Sequence, residues 1–307
     1  MNAIVYKSRK IISVIVAAVM FIICITYNNI LETSAVNTAL NYKVFNASNG
    51  NYMSTYTLSA NAVQDNSRSV IELDTRVVDF TKSGVVKIIM NSGSFSTGFV
   101  VDGNTIATAA HCVANKTSDG NAASCGDSIN KILIFDANGN IELTITNAYS
   151  VHIPSLYFST YGNTNEYDYA LITIPEVDTE TRDLSNYAIF NLGIMLDGFK
   201  NSGKTISITG FPKEVNDEIV NDCISKHTMY EGTGQVGEKY ANSDFIFGYT
   251  CDTSGGNSGG PVYTTVAYGG NVYYTVIGIH TTGAGTFNAA TRITTDLLHF
   301  YKNNPNI

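Results

Sequence analysis

Three short segments of the 307-residue chain each carry a side chain that can transfer a proton or form a covalent bond. An apolar run ends at a histidine, His111, and an acid, Asp168, stands just before another apolar run. Ser258 lies within the glycine-rich turn Gly255–Pro261. A serine hydroxyl attacks an amide only if a base accepts its proton, and an acid must hold that base so that the correct nitrogen faces the serine. The three residues, in the order His, Asp, Ser, therefore predict a catalytic triad that hydrolyses its substrate through a serine nucleophile.

The glycines around Ser258 add a second chemical element. They let backbone N–H groups turn inward, where such donors stabilise the oxyanion of a tetrahedral intermediate. Each segment alone has an ordinary structural explanation, because histidines at strand ends, aspartates before strands and serines in turns are all common. The combination of all three, in this order and well separated, favours catalysis.

These segments resemble the catalytic motifs of chymotrypsin-like serine proteases. They read Thr-Ala-Ala-His-Cys around His111, Asp-Tyr-Ala-Leu from Asp168 and Gly-Gly-Asn-Ser-Gly-Gly-Pro around Ser258. The chain is more similar still to the bacterial glutamyl endopeptidase branch, over about residues 69–301. Features of that branch recur at Ser69–Ile71, Asn165–Tyr169, Asp252–Thr253, Ile279–Thr281 and Thr291–Thr294.

The resemblance implies a role for each residue of the triad. His111 is the general base, Asp168 orients it and Ser258 is the nucleophile, while the backbone N–H groups of Gly256 and Ser258 form the oxyanion hole. It also implies an all-β fold of two six-stranded antiparallel barrels with the site in the cleft between them. We expect no cofactor and no metal ion.

Two interpretations of substrate specificity compete in the segment before Ser258. Asp252 stands six positions earlier, where trypsin-like enzymes hold the acid that selects Lys and Arg. Thr253 and His280 instead match positions that bind the substrate carboxylate in glutamyl endopeptidases. An imidazole and a hydroxyl offer donors to a carboxylate but nothing favourable to a guanidinium. We therefore predict cleavage after Glu, with Asp weaker, and basic or broad specificity is the alternative.

The pattern of apolar residues predicts the elements that must position these groups. From Val70 onward, short runs rich in Val, Ile, Tyr, Thr and Phe alternate with Gly, Asn, Asp and Ser breaks, which favours a β-barrel or sandwich. A single helix is predicted, from about Thr294 to Tyr301, and a division into two barrels would fall near residues 175–197. The predicted strands are Val85–Met90, Gly98–Val101, Thr105–Ala109, Ile132–Phe135, Ile141–Ile145, Ala170–Ile174, Thr205–Thr209, Gly260–Thr264 and Tyr273–Ile279.

The N-terminal region has the pattern of an export signal. Three basic side chains within residues 1–10 precede the apolar run Ile11–Ile25, and small residues follow at 33–35. This pattern predicts a signal peptide over residues 1–35, with an uncleaved membrane anchor as the alternative because the run is near the lower limit for spanning a bilayer. We therefore expect a secreted, extracellular protein without membrane attachment after processing.

Residues 36–68 are rich in Asn, Ser, Thr and Ala and nearly free of charge. They predict a removable propeptide, or else a flexible arm, followed by the protease domain over residues 69–307. Arg68 stands directly before a segment that resembles the mature start of the branch, so we expect Ser69 or Val70 at the mature N-terminus. In relatives this freed α-amino group approaches the specificity pocket, where its charge can meet a substrate carboxylate.

The chain has five cysteines, of which Cys24 lies within the predicted signal peptide. The other four suggest two disulfides in an exported protein, with three connectivities open and free buried thiols as the alternative. Relatives with a half-cystine before the histidine strand place it near Ser96 of this chain. Its absence leaves Cys112 without that partner. The pairings favoured on this argument and on proximity are Cys112–Cys125 and Cys223–Cys251.

Composition and charge narrow the remaining classes of function. With 44% hydrophobic and 14% charged residues the chain is not disordered, and its formal net charge of −8 disfavours a nucleic-acid partner. The segment Gly198–Thr205 fits a phosphate-loop pattern, but a strand-like run follows it where a helix would be needed, so nucleotide binding is not predicted. We expect a monomer that acts on protein or peptide substrates.

Two other classes stay open beside an active protease. A catalytically inactive, protease-like binding protein usually lacks a triad member, whereas this chain keeps all three. A serine esterase normally carries its nucleophile in G-x-S-x-G at a strand-to-helix elbow, in the order Ser, Asp, His. Here Ser258 precedes a strand-like run and comes last in the order.

Overall fold

A computed structural model of the chain describes residues 38–46, 52–60, 76–114, 129–146, 150–159, 165–174, 183–195, 199, 202–213, 216, 219–220, 223–224, 227–237, 239–240, 242–284 and 287–302. The chain divides into two compact units, one of residues 1–39 with 59–61 and the other of 40–58 with 62–307. The first unit lies almost wholly outside the described residues, as do the predicted signal peptide, Ser69, Val70 and Cys125. No helix in the described ranges is long and apolar enough to cross a membrane.

Nineteen strands run through the described segments. They are β1 (Thr38–Asn46), β2 (Tyr52–Ala60), β3 (Val77–Val78), β4 (Val85–Met90), β5 (Phe95–Val100), β6 (Thr105–Thr108), β7 (Ile129–Phe135), β8 (Ile141–Ile145), β9 (Ser150–Pro154), β10 (Ala170–Thr173), β11 (Phe190–Leu192), β12 (Thr205–Gly210), β13 (Ile219–Val220), β14 (Cys223–Ile224), β15 (Tyr230–Gly237), β16 (Ile246–Tyr249), β17 (Pro261–Tyr268), β18 (Asn271–Ala284) and β19 (Phe287–Arg292). Two α-helices of the described part are α1 (Ser155–Ser159) and α2 (Thr295–Lys302).

The first sheet has the strand order β2-β1-β9-β10-β6-β5-β4-β7-β8. Within this order, the strands from β9 to β8 form a run whose two outer strands, β8 and β9, are consecutive in the chain. This run has seven strands, one more than the six that were expected, and no pairing joins β8 to β9 among the described residues. The two extra strands, β1 and β2, come from the predicted propeptide, and β1 pairs antiparallel with β9 from Tyr42↔Pro154 to Asn46↔Ser150.

The second sheet closes on itself. Its order β18-β17-β12-β15-β16-β19 is completed by a further pairing between β18 and β19, which gives a six-stranded ring. Outside this ring, β11 pairs parallel with β18 and β3 pairs with β15. The predicted all-β, chymotrypsin-like fold with a C-terminal helix is therefore confirmed. The phosphate-loop pattern leads into strand β12, as expected from its sequence.

Strand β4 shows how burial holds the first sheet together. It is paired on both sides, and all six of its residues are buried. Burying a Val or Ile side chain contributes about 1.5–3 kcal/mol, so this strand is a large source of stability. Its one charged side chain, Lys87, donates from Nζ to Asn216 Oδ1 at 3.1 Å and lies 4.0 Å from the centre of the Phe95 ring. These contacts replace the hydration that the Lys87 ammonium group loses on burial.

The predicted disulfides are wrong for this structure, because Cys112 and Cys251 both carry free thiols. Cys251 is fully buried in the apolar core of the second sheet, and its Sγ lies 3.7 Å from the carbonyl oxygen of Ile206. Cys112 instead lies beside the ring of His111. Proximity in sequence did not pair them, because Cys251 packs into the apolar core and Cys112 against the His111 ring.

Candidate active site

His111 is positioned by strand β6 and the turn that follows it. Ile106 and Ala107 of this strand are buried and fix its end in the core. A 3-10 helix, Ala110–Cys112, then carries the histidine out of the core, so that its side chain keeps about a third of its surface exposed, at 33%. The strand thus fixes the backbone while the ring stays accessible.

Asp168 holds His111 through both of its carboxylate oxygens. Oδ1 accepts the backbone N–H of His111 at 2.8 Å, and Oδ2 lies 2.8 Å from His111 Nδ1. Asp168 follows the 3-10 helix Asn165–Tyr167 and precedes strand β10 in the chain, and its side chain is almost fully buried. Strand β10 pairs with β6, with Ala170 opposite Thr108, so the sheet register itself brings acid and base together. The bond at Nδ1 leaves Nε2 as the nitrogen that can take a proton.

The electrostatics of this pair favour the protonated imidazole. Burial lowers the pKa of His111, but the negative charge of Asp168 and the neighbouring Cys112 thiol raise it further than burial lowers it. The resulting pKa lies well above the usual value of 6.5. An imidazolium that forms during a reaction would thus be stabilised where it stands.

Ser258 lies in a tight turn that packs against the histidine strand. Its carbonyl oxygen accepts the backbone N–H of Thr97 in β5 at 2.9 Å. The next residue, Gly259, has a φ of +84°, and a Cβ there would lie 2.1 Å from Thr108 Oγ1 and 3.0 Å from the nitrogen of Ala109. A glycine is required at this position because the turn touches the backbone that leads to His111.

The third contact of a triad is not made in the structure. Among the described residues, Nε2 of His111 lies 3.8 Å from Cys112 Sγ, and no hydrogen bond joins it to Ser258 Oγ. The bond between base and nucleophile is often long in a protease without substrate and tightens only in the complex. The structure therefore joins His111 and Asp168 directly and brings the Ser258 backbone to the same strand end.

Two backbone donors point away from protein partners at this turn. Within the described residues, the N–H groups of Gly256 and Ser258 donate to no protein atom. The carbonyl of Gly255 accepts the N–H of Lys213 at 2.6 Å. Because this carbonyl and the N–H of Gly256 lie on opposite sides of one peptide unit, the Gly256 N–H points away from Lys213. Gly256 has a φ of +89°, a conformation that only glycine adopts at low cost. Such donors can stabilise an oxyanion.

His280 lies in strand β18 and is 2% exposed. Its Nδ1 lies 2.5 Å from the hydroxyl of Tyr249, which is itself fully buried in strand β16. This contact restrains the rotation of the imidazole ring. Its backbone is also tied to the serine turn, because His280 donates to the carbonyl of Gly260 and accepts the N–H of Gly259.

Thr253 is paired with a residue that the sequence did not single out. Its hydroxyl donates to Asn288 Oδ1 at 2.8 Å, and the amide nitrogen of Asn288 donates to the carbonyl of Cys251. Asn288 is buried in strand β19, so it fixes both the side chain of Thr253 and the backbone just before it. Asp252 is partly exposed between Cys251 and Thr253.

Three site residues escaped sequence reasoning: Thr97, Tyr249 and Asn288. Each lies in a strand of ordinary composition, far along the chain from the group that it contacts. Thr97 and Gly256, for example, are 159 positions apart. No local pattern could have identified them. The described residues contain no cluster of three or more His, Cys, Asp and Glu side chains that could hold a metal ion.

The two-sheet fold, together with a buried acid bound to a histidine beside a glycine-rich serine turn, defines a chymotrypsin-like serine peptidase. Comparison with known proteins agrees with this class. The trypsin-like peptidase domain family matches residues 96–269, more than half of the chain. The chain therefore belongs to the trypsin-like peptidase family, and the resemblance seen in its sequence is confirmed.

Two individual relatives have less than 30% sequence identity to this chain. The chain is 28% identical over 207 residues to an extracellular metalloprotease of Bacillus subtilis (strain 168). The aligned region covers 66% of this chain and 56% of that protein. It is 27% identical over 238 residues to a glutamyl endopeptidase of Bacillus licheniformis, over 75% of this chain and 67% of that protein. The solved structure of a Glu endopeptidase in complex with MPD matches with a TM-score of 0.56 at 21% identity, covering 76% of this chain and 98% of that one, which shows a shared fold.

Proposed function

We propose that this protein is a secreted serine endopeptidase that hydrolyses peptide bonds with His111, Asp168 and Ser258. The observation that carries the proposal is the double contact of Asp168 with His111, at 2.8 Å to the backbone N–H and 2.8 Å to Nδ1. A carboxylate that only preceded a strand would not need to hold both the backbone and the ring of a histidine that is 33% exposed.

The reaction follows from this arrangement. Ser258 Oγ attacks the scissile carbonyl carbon while its proton passes to Nε2 of His111, and Asp168 stabilises the imidazolium that forms. The N–H groups of Gly256 and Ser258 donate to the oxyanion. When the intermediate collapses, the C–N bond breaks and the proton moves from Nε2 to the leaving amine. Water then hydrolyses the acyl-enzyme by the same steps, which restores Ser258.

Replacing the nucleophile tests this proposal. We expect Ser258→Ala to abolish cleavage of casein and labelling by a fluorophosphonate, because no other group can form the acyl-enzyme. Ser202→Ala is the matched control, since Ser202 is exposed and, in the part of the chain that the structure describes, its hydroxyl bonds to the nearby Phe199 and Lys204. A wild-type protein that cleaves neither casein nor esters would support an inactive binding protein. Ester hydrolysis without casein cleavage would support an esterase.

The proposed specificity is for Glu before the scissile bond, with Asp weaker. The ring of His280, held by Tyr249, supplies a donor suited to a carboxylate. The Thr253 hydroxyl donates to Asn288 Oδ1 in the structure and would turn from it to donate to a substrate carboxylate. A buried pocket with these donors rejects a side chain that cannot pair with them, because unpaired polar groups cost several kcal/mol. The similarity to a protein named glutamyl endopeptidase supports the same interpretation.

Two substitutions separate this specificity from the trypsin-like alternative. His280→Ala should lower kcat/KM for Glu substrates far more than for any residual apolar substrate. Asp252→Asn should leave cleavage after Glu in place, whereas in a trypsin-like pocket it would remove cleavage after Lys and Arg. Profiling the peptides cut by the wild type in a proteome digest measures both preferences, and a preference for Lys or Arg would refute the proposal.

Processing completes the proposed function. Residues 1–35 would be removed as a signal peptide and residues 36–68 as a propeptide, which leaves a monomeric domain of residues 69–307 outside the cell. A relative described as extracellular supports this location. N-terminal sequencing of the active secreted protein should begin at Ser69 or Val70, and Arg68→Gln should block that cleavage. Full activity in a chain that starts near Val36 would contradict it.

A further inference from the structure

Thr97 contacts the serine turn at two points. It is fully buried in strand β5. Its backbone N–H donates to the carbonyl of Ser258 at 2.9 Å, and its hydroxyl donates to the carbonyl of Gly256 at 2.7 Å. One residue of the first sheet therefore fixes the turn on both sides of Asn257.

The direction of the hydroxyl proton is set by a third contact. The backbone N–H of Phe211 donates to Thr97 Oγ1 at 3.1 Å. Because the oxygen already accepts this bond, its own proton is left for the Gly256 carbonyl. The side chains of Thr97 and Asn257 both pack closely against Gly210, since a Cβ on this glycine would lie 2.9 Å from Thr97 Oγ1 and 2.9 Å from Asn257 Nδ2.

The peptide unit that Thr97 holds lies between the two oxyanion donors. The carbonyl of Gly256 and the N–H of Asn257 belong to this unit, and the latter donates to the carbonyl of Ser254 at 3.1 Å. The N–H groups of Gly256 and Ser258 stand on the peptide units before and after it. A rotation of the central unit would change the angle between these two donors, so the Thr97 hydroxyl controls their convergence.

We propose that Thr97 is a positioning residue for the oxyanion hole, acting through its side-chain hydroxyl on the Gly256 carbonyl. The inference rests on the proposed serine endopeptidase function and deepens it. Thr97 touches no reacting atom in this mechanism. It prepares the two backbone donors for a charge that develops only in the transition state, so its loss should change kcat more than KM.

The test compares Thr97→Val, which removes only the hydroxyl, with Thr97→Ser, which keeps it. Because loss of a direct oxyanion donor costs about 100- to 1,000-fold in kcat, we expect the indirect effect of Thr97→Val to be about 10- to 100-fold, with KM nearly unchanged. Thr97→Ser should stay within about threefold of the wild type, since its hydroxyl can still bind the Gly256 carbonyl. Thr209→Val is the matched control, because Thr209 is an equally buried threonine whose hydroxyl bonds to Tyr263.

A second readout separates positioning from a general loss of stability. A peptide aldehyde forms a hemiacetal with Ser258 whose oxygen occupies the oxyanion site, whereas the corresponding peptide alcohol does not. In Thr97→Val the inhibition constant of the aldehyde should rise in step with the loss of kcat/KM, while that of the alcohol should not change. All variants are assayed well below their melting temperatures.

Several results would overturn the inference. If Thr97→Val retains the kcat and aldehyde affinity of Thr209→Val, or if Thr97→Ser loses as much as Thr97→Val, the hydroxyl does not position the oxyanion hole. If Thr97→Val does not fold, Thr97→Cys replaces it, and equal kcat and aldehyde affinity in Thr97→Cys and Thr97→Ser would refute the proposal. Failure of the proposed function is distinguishable, because then the wild type and the Thr209→Val control would show no endopeptidase activity either.

Discussion

The pKa of His111 reflects two opposing effects on one side chain. Burial favours the neutral ring, but the nearby charge of Asp168 outweighs it, and the pKa rises well above 6.5. A raised pKa keeps the base protonated, and therefore inactive, up to a higher pH than an ordinary histidine would allow. The same charge makes Nε2 a stronger base once the proton has left.

The pH dependence of kcat/KM should show this directly. We expect activity to develop only as the pH rises through a midpoint above 6.5, the ordinary value for histidine. In Asp168→Asn the midpoint should move to lower pH, and kcat should fall by about 10⁴-fold because the ring loses its correct tautomer. Asp183→Asn, at an exposed carboxylate bonded to Ser185, is the control and should leave the profile unchanged. A wild-type midpoint below 6.5 would contradict the account.

Strand β9 would lose a paired neighbour if the proposed propeptide were removed. It lies between β10, which follows Asp168, and β1, which belongs to the predicted propeptide. Five residue pairs, from Tyr42↔Pro154 to Asn46↔Ser150, join β1 to β9. Removal of residues 36–68 would therefore turn β9 into an edge strand with open backbone groups.

Hydrogen exchange can detect this change. The backbone amides of residues 150–153 should exchange faster in a chain that begins at Ser69 than in a chain that keeps residues 36–68, because the former lacks the β1 partner. Strand β4, which is paired on both sides by β5 and β7, should exchange equally slowly in both. Equal exchange of β9 in the two chains would show that β1 does not pair with it in solution.

Acid sensitivity is a property of the whole molecule that depends on a buried histidine. His152 is fully buried in β9, and burial lowers its pKa to about 4. Folding therefore requires the neutral ring, whereas the unfolded chain takes up a proton near pH 6.5. Stability is retained above pH 6.5 and is lost as the pH falls towards 4.

Urea denaturation at several pH values tests this effect. Between pH 6.5 and pH 5 the His152 contribution should lower the free energy of unfolding by about 1–2 kcal/mol, since each pKa unit corresponds to about 1.4 kcal/mol and the unfolded ring is half protonated at pH 6.5. His152→Gln should weaken the dependence on pH over this range, whatever its effect at pH 7. An unchanged pH dependence in His152→Gln would show that the ring is not kept neutral by the fold.

Much of this molecule follows from its sequence. Strands β4 and β8 have the predicted bounds, and the C-terminal helix begins and ends within one residue of its predicted position. The chemistry of the three motifs and their order could also be identified, because a strand end, a turn or a glycine-rich loop is specified by neighbouring residues. Strands with less regular patterns, such as β9, β16 and β19, could not be assigned in this way.

Only the tertiary structure decided how distant groups meet. The sheet register brings Asp168 to His111, 57 positions away, and strand packing places Thr97 against Gly256 and Tyr249 against His280. It also keeps Cys112 and Cys251 as free thiols and adds the predicted propeptide strands to the first sheet. The physical reason is that the local sequence fixes the backbone conformation of only a few residues. Contacts between distant residues depend instead on the register and packing of many strands together.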